Sequence, residues 1–193
     1  MKTFPVASSQ IDPISDGAVV ACDPDGKLGS SGSLRIMRRI LVTGMSGTGK
    51  SSALAELRRL DFRVVDTDEG GWTEWSDADG GYVWREDRMR QLLARDDGRS
   101  LYVSGTVSNQ GRFYDRFDAV VLLSASFEVL LGRVRSRTTN AYGKTAEDRA
   151  LILRHLHDVE PLLRRSCTHE IDAGQPLATV VEQLAELGRE RSA

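Results

Sequence analysis

Gly44-Met45-Ser46-Gly47-Thr48-Gly49-Lys50-Ser51 fits the pattern G-x-x-x-x-G-K-[ST], and what flanks it decides how the chain folds. The five residues before it, Arg39-Ile40-Leu41-Val42-Thr43, form a short apolar run that predicts a buried strand. After it, Ala53, Leu54, Leu57 and Leu60 recur at helical spacing, which predicts a helix over 50–60. A strand that enters a glycine-rich turn and leaves as a helix is a phosphate cradle. Gly44, Gly47 and Gly49 free the backbone to aim several N–H groups inward. The helix start adds its positive dipole end. Lys50 supplies a point charge for the outer phosphates, and the Ser51 hydroxyl, with Ser52 behind it, is an oxygen donor for magnesium. Residues 44–52 are therefore the predicted contacts for ATP and Mg2+.

Outward from this loop, short apolar runs alternate with helical patterns. Strands are expected at 62–66, 101–104, 119–123 and 169–172, and helices at 84–95, 127–137, 146–165 and 177–187. Residues 67–81 read as a glycine- and acid-rich loop, and 138–143 as a polar break. Alternating strands and helices imply parallel pairing covered on both faces. The predicted fold is a three-layer α/β/α sandwich with a five-stranded, mostly parallel sheet and a short lid. Residues 1–36, rich in Ser, Gly, Asp and Pro, read as a flexible tail before a domain spanning 37–193. Met37, directly before the first strand, is a candidate natural start.

Composition narrows the function. The chain has 193 residues, 40% hydrophobic and 28% charged, with a formal net charge of -2. That balance gives no bulk attraction to nucleic acid or to an anionic membrane. Two widely spaced cysteines, Cys22 and Cys167, point to neither a disulfide framework nor a zinc site, and suit the cytoplasm. His155 and His157, two apart on a helix, do not share a face. Oligomeric state is not legible.

The order of elements resembles the small P-loop kinases: shikimate kinase, adenylate kinase and other nucleoside-monophosphate kinases, and gluconate kinase. The resemblance runs from Arg38 onward and rests on scattered motifs. Asp66-Thr67-Asp68 ends the second strand as a similar D-x-D does in shikimate kinases, which implies Asp68 facing the acceptor hydroxyl and Asp66 helping to hold magnesium. The position agrees, since open parallel sheets bind ligands at the carboxyl ends of their strands. Gly105-Thr106 stands where those enzymes carry a longer glycine-rich turn against substrate. The single glycine departs from the shikimate pattern and leaves that strand without the usual magnesium-associated acid. Trp84-Arg85 resembles their aromatic–Arg pair, and Arg85 either meets an acceptor's anionic group or is a surface arginine. Trp72 and Trp75 either stack on a flat acceptor or anchor a lid.

Arg133 and Arg137, four apart on one helical face, resemble the arginine pair of adenylate-kinase-like enzymes. The resemblance implies Arg133 at adenine, Arg137 at the transferring phosphate, and 138–144 as a lid that excludes water. The expected activity is phosphoryl transfer from ATP to a nucleotide, nucleoside or small hydroxylated metabolite, with Lys50, Asp68 and Arg137 catalytic and Asp68, Arg85, Gly105 and Thr106 around the acceptor. The alternative is an ATP-binding or ATP-hydrolysing switch.

Overall fold

The computed structural model describes residues 37–136 and 145–189. The predicted tail (1–36), Arg137 and the predicted lid (138–144) lie outside the described residues.

Five strands form one sheet. They are β1 (Arg39–Thr43), β2 (Arg63–Asp66), β5 (Leu101–Ser104), β6 (Ala119–Ser124) and β7 (His169–Asp172), in the order β2-β5-β1-β6-β7. Every pairing is parallel. Parallel strands need crossovers: α1 (Lys50–Arg59) joins β1 to β2, α2 (Glu86–Ala94) leads into β5, and α3 (Phe127–Ser136), α4 (Ala146–Asp158) and α5 (Glu160–Ser166) lie between β6 and β7, while α6 (Leu177–Arg189) follows β7. Both sheet faces are covered, which is why the central strands read as unbroken apolar runs. Ile40, Val42, Tyr102, Val121 and Leu123 pack with Ala53, Leu54 and Leu57 of α1 and Val180, Val181 and Leu184 of α6. On the other face Leu41, Leu101, Val103 and Val120 meet Met89, Leu92 and Leu93 of α2.

Three expectations change. The predicted loop 67–81 contains a strand, β3 (Thr73–Ser76), which pairs antiparallel with β4 (Gly81–Trp84) as a separate hairpin. Trp84 and Arg85 consequently precede the helix rather than open it: Trp84 ends β4 and Arg85 is the N-cap of α2. The single helix expected over 146–165 is two, α4 and α5, because Pro161 lacks the N–H and crowds the preceding turn, so the helix restarts at Glu160. A 3-10 helix, Gln110–Arg116, occupies a stretch with no earlier assignment. No helix among the described residues is long and apolar enough to cross a membrane.

The hairpin is held to the sheet at one end. The Trp84 side chain is fully buried. Its Nε1 donates to Thr67 Oγ1 at 2.8 Å, and that hydroxyl donates to the Ser104 carbonyl at 2.7 Å. Asn109 brackets the Trp84 backbone: its Oδ1 accepts from the Trp84 N–H at 2.8 Å and its Nδ2 donates to the Trp84 carbonyl at 3.0 Å. Asn109→Ala leaves both buried backbone groups unpaired. It is expected to lower stability by about 1–3 kcal/mol. The urea midpoint should fall while the slope of the transition stays constant.

Candidate active site at the carboxyl ends of the strands

The phosphate loop leaves β1 at the level where three strands end together. Register places Val42 beside Ser104, and Ser104 beside Asp66. Gly44 has φ 141°, and a Cβ there would lie 2.3 Å from the Leu123 carbonyl oxygen, so only glycine fits. Met45 is buried against Leu122, Leu130 and Leu163, which pins the loop from below. Thr48 is buried too, and its hydroxyl donates to the Met45 carbonyl at 2.9 Å. Gly49, with φ 92°, caps α1. Lys50 Nζ donates back across the loop to the carbonyls of Gly44 (2.6 Å) and Met45 (3.3 Å). Ser46 and Gly47 are half-buried at the loop's crest, and Ser52 is exposed on α1.

The magnesium donors predicted from sequence meet in space. Ser51 Oγ donates to Asp66 Oδ2 at 2.6 Å. Asp66 Oδ1 in turn accepts the Asp68 backbone N–H at 3.2 Å, which sets the turn that carries Asp68. Ser104, in register with Asp66, has a buried Oγ with no hydrogen-bond partner. A hydroxyl, a carboxylate and an unpartnered hydroxyl side by side are hard oxygen donors, the set that suits Mg2+ with its retained waters.

Asp68 is exposed as a residue, yet the surrounding chain crowds its carboxyl enough that desolvation raises its pKa above 3.8. Lys50 opposes that rise, and Asp66 and Glu69 add to it. A carboxyl moved toward neutrality and coupled to the loop lysine suits a base.

Thr106 and Gly105 follow β5 as predicted, and their contacts come from the fold. Thr106 Oγ1 donates to the Gly44 carbonyl at 2.9 Å, accepts from the Gly44 N–H at 3.3 Å and lies 3.1 Å from Thr43 Oγ1. Thr106 thus ties the end of β5 to the phosphate loop. Gly105 has no room for a side chain, since a Cβ there would lie 2.2 Å from Thr67 Oγ1 and 3.1 Å from the Trp84 ring. Arg133 reaches the loop from α3, its Nη1 at 3.5 Å from the Thr48 carbonyl. Its partner Arg137 is outside the described residues. Arg85 points elsewhere: it pairs with Glu74 at 3.4 Å and lines an open cleft of about 670 Å³ between the hairpin and α2. Trp72 packs against the core under Arg88, whose guanidinium lies 3.9 Å from the ring centroid. Trp75 stays exposed.

Ser104 and Thr67 carried no predicted role, and Asn109 and Gln110 read from sequence as amides of a polar loop able to face a base edge or a polyol; in the structure Asn109 bonds the Trp84 backbone instead. Gln110 Oε1 accepts from Thr43 Oγ1 at 3.4 Å, and its Nε2 donates to the Tyr114 hydroxyl at 2.9 Å. Ser104 ends β5 and Thr67 directly follows β2, the one signal that could have found them.

Asp68→Asn should separate stability from function. The folded carboxyl holds its proton more tightly than the unfolded chain does. Stability therefore declines as pH rises from 3.8 through the raised folded value. The variant lacks this loss, so its Tm should exceed the parent's above that window, and the difference should close below pH 3.8.

A family model described as an AAA domain matches residues 40–154. No curated protein matches the chain by sequence. Several solved structures share its fold. Shikimate kinase from Bacteroides thetaiotaomicron aligns with a TM-score of 0.58 at 20% identity, over 79% of this chain and 98% of that one. A gluconokinase from Sinorhizobium meliloti 1021 aligns with a TM-score of 0.51 at 22% identity, over 80% and 95%. Deoxyadenosine kinase from M. mycoides, with bound dATP, aligns with a TM-score of 0.51 at 14% identity, over 77% and 98%. At these identities the likeness is one of fold. Glycine loop, parallel sheet and family match agree: the chain belongs to the AAA domain family and is built on the fold of the small P-loop kinases.

Proposed function

We propose that the protein transfers the γ-phosphoryl group of ATP to a hydroxyl of a small acceptor. The observation that carries this reading is the junction of Ser51, Asp66 and Asp68. A metal-donor pair at 2.6 Å adjoins a second carboxylate whose backbone the first one holds. A nucleotide switch has no need of that second carboxylate on the open side of the sheet; a phosphotransferase does, to orient its acceptor and take its proton.

Backbone N–H groups of 44–49 and the start of α1 would bind the phosphates. Lys50 Nζ, now on the loop carbonyls, would turn to the outer phosphates. Magnesium held by Ser51 and Asp66 would neutralise charge on the β- and γ-phosphates. The acceptor oxygen bonds to Pγ as the Pγ–O bond to ADP breaks, and the hydroxyl proton passes to Asp68. Arg133 sits where it can steady the loop or the nucleotide, and Arg137, with the segment 138–144, is assigned to phosphate and closure by resemblance alone. Catalysis is then mostly positioning and charge stabilisation.

ADP release with Mg·ATP, measured across nucleoside monophosphates, nucleosides, shikimate, gluconate and amino sugars, tests this directly. One acceptor should lift release well above the acceptor-free rate. ATP binding with no stimulation by any hydroxylated acceptor would favour the switch. Lys50→Ala should lower kcat by at least about 10²-fold with the circular dichroism spectrum unchanged. Asp68→Asn should lower kcat by about 10²–10⁴-fold and leave the Kd for ATP nearly unchanged. A change in ATP affinity alone would make Asp68 a nucleotide or metal residue instead.

A further inference from the structure

The hairpin carries an aromatic pair that takes no part in the core. Trp75 and Tyr82 face each other across β3 and β4, their ring centroids 5.5 Å apart and their planes at 85°. They are 58% and 60% exposed. Their contact steadies a two-stranded hairpin that would be marginal alone. It leaves a corner of two open ring faces.

Strand alternation places that corner. Paired residues share a face, so Trp75 and Tyr82 lie on the same side as Thr73 and Trp84. Trp84 on that side bonds Thr67 and lies against Gly105, at the ends of β2 and β5. The exposed pair stands two residues farther out, about 7 Å along the strand. Glu74 and Val83 occupy the opposite face and line the cleft with Arg85.

Charge says what fits there. Residues 66–84 hold six carboxylates and no lysine, arginine or histidine. Glu74 and Asp79 are paired from outside the segment by Arg85 and Arg112, each at 3.4 Å. Asp66 is turned to Ser51. Among the described residues, no salt bridge reaches Asp68, Glu69 or Asp77. Asp77 accepts the Trp75 Nε1–H at 2.8 Å, which fixes the indole and sets a carboxylate at its edge. Open ring faces beside carboxylates that no salt bridge reaches attract a cation and repel an anion.

We propose that the phosphoryl acceptor is a small hydroxylated amine, an amino sugar or amino alcohol. Its ammonium group rests against Trp75, Tyr82 and Asp77 while its hydroxyl is presented to Asp68. The ammonium group keeps its positive charge throughout. The hydroxyl oxygen forms the new bond to Pγ, ADP leaves with the electrons of the broken Pγ–O bond, and the hydroxyl proton goes to Asp68 and then to solvent. This rests on the kinase reading and narrows its substrate class.

The test pairs acceptors that differ only in charge, using the full chain with Mg·ATP and ADP release as readout. Glucosamine is compared with N-acetylglucosamine, and choline with its uncharged carbon analogue; AMP and gluconate are the anionic arm. At least one cationic member should raise release above background, with kcat/KM at least about tenfold above its neutral partner. Which pair responds separates amino sugar from amino alcohol. Trp75→Ala and Asp77→Asn should each raise KM for that acceptor by about tenfold while acceptor-free ATP hydrolysis stays at the parent rate. Asp77→Asn keeps an acceptor for the indole N–H, so it holds the hairpin while removing the charge. Equal use of the neutral partner, preference for AMP or gluconate, or no stimulation by either cation overturns the inference. Stimulation by AMP or gluconate would leave the kinase reading standing. Failure to bind Mg·ATP would instead remove the kinase reading itself.

Discussion

Parallel pairing of β1 with β5 and of β5 with β2 brings Val42, Ser104 and Asp66 to one level of the sheet. The site depends on that register. A parallel sheet points all its strand ends the same way, so the phosphate loop after β1, the D-x-D after β2 and the Gly105-Thr106 turn after β5 converge without any long connection. The Ser51–Asp66 hydrogen bond closes the arrangement, because Ser51 rides on the first turn of α1 and Asp66 ends β2, the strand that α1 leads into. Slipping β2 by one residue would turn Asp66 to the opposite face and part the two oxygens.

A second layer of polar contacts keeps these ends from splaying. Thr106 grips the backbone of Gly44, Thr67 grips the Ser104 carbonyl, and the Trp84 indole grips Thr67. Each donor here is buried or half-buried, where an unmade hydrogen bond is costly and a made one is rigid. These contacts run from the phosphate loop to the base of the hairpin, so the two share one frame.

Stability and chemistry pull apart at Asp68. Crowding raises its pKa, and the nearby carboxylates of Asp66 and Glu69 add to that cost. A protein selected only to fold would place a neutral side chain there. Lys50 is the nearby cation that offsets part of that repulsion.

Much of this was written in the order of residues. G-x-x-x-x-G-K-S fixes backbone conformations through glycine and a charge through lysine, so the loop, the strand before it and the helix after it follow from local chemistry alone. Apolar runs two-sidedly buried gave away the parallel sheet for the same reason. The hairpin escaped because each of its strands has four residues and only Val83 and Trp84 among them are buried; Asp79-Gly80 before Tyr82-Val83-Trp84 was the one turn signal available. The break at Val159 was also legible in Pro161. What no pattern could carry were the pairings between residues far apart in the chain: Ser51 with Asp66, Thr106 with Gly44, and Arg85 turned to Glu74 instead of toward the phosphate loop. Sequence determines which local conformations are open to each segment; only the tertiary fold, by choosing which strand ends stand side by side, decides which polar atoms come within bonding distance.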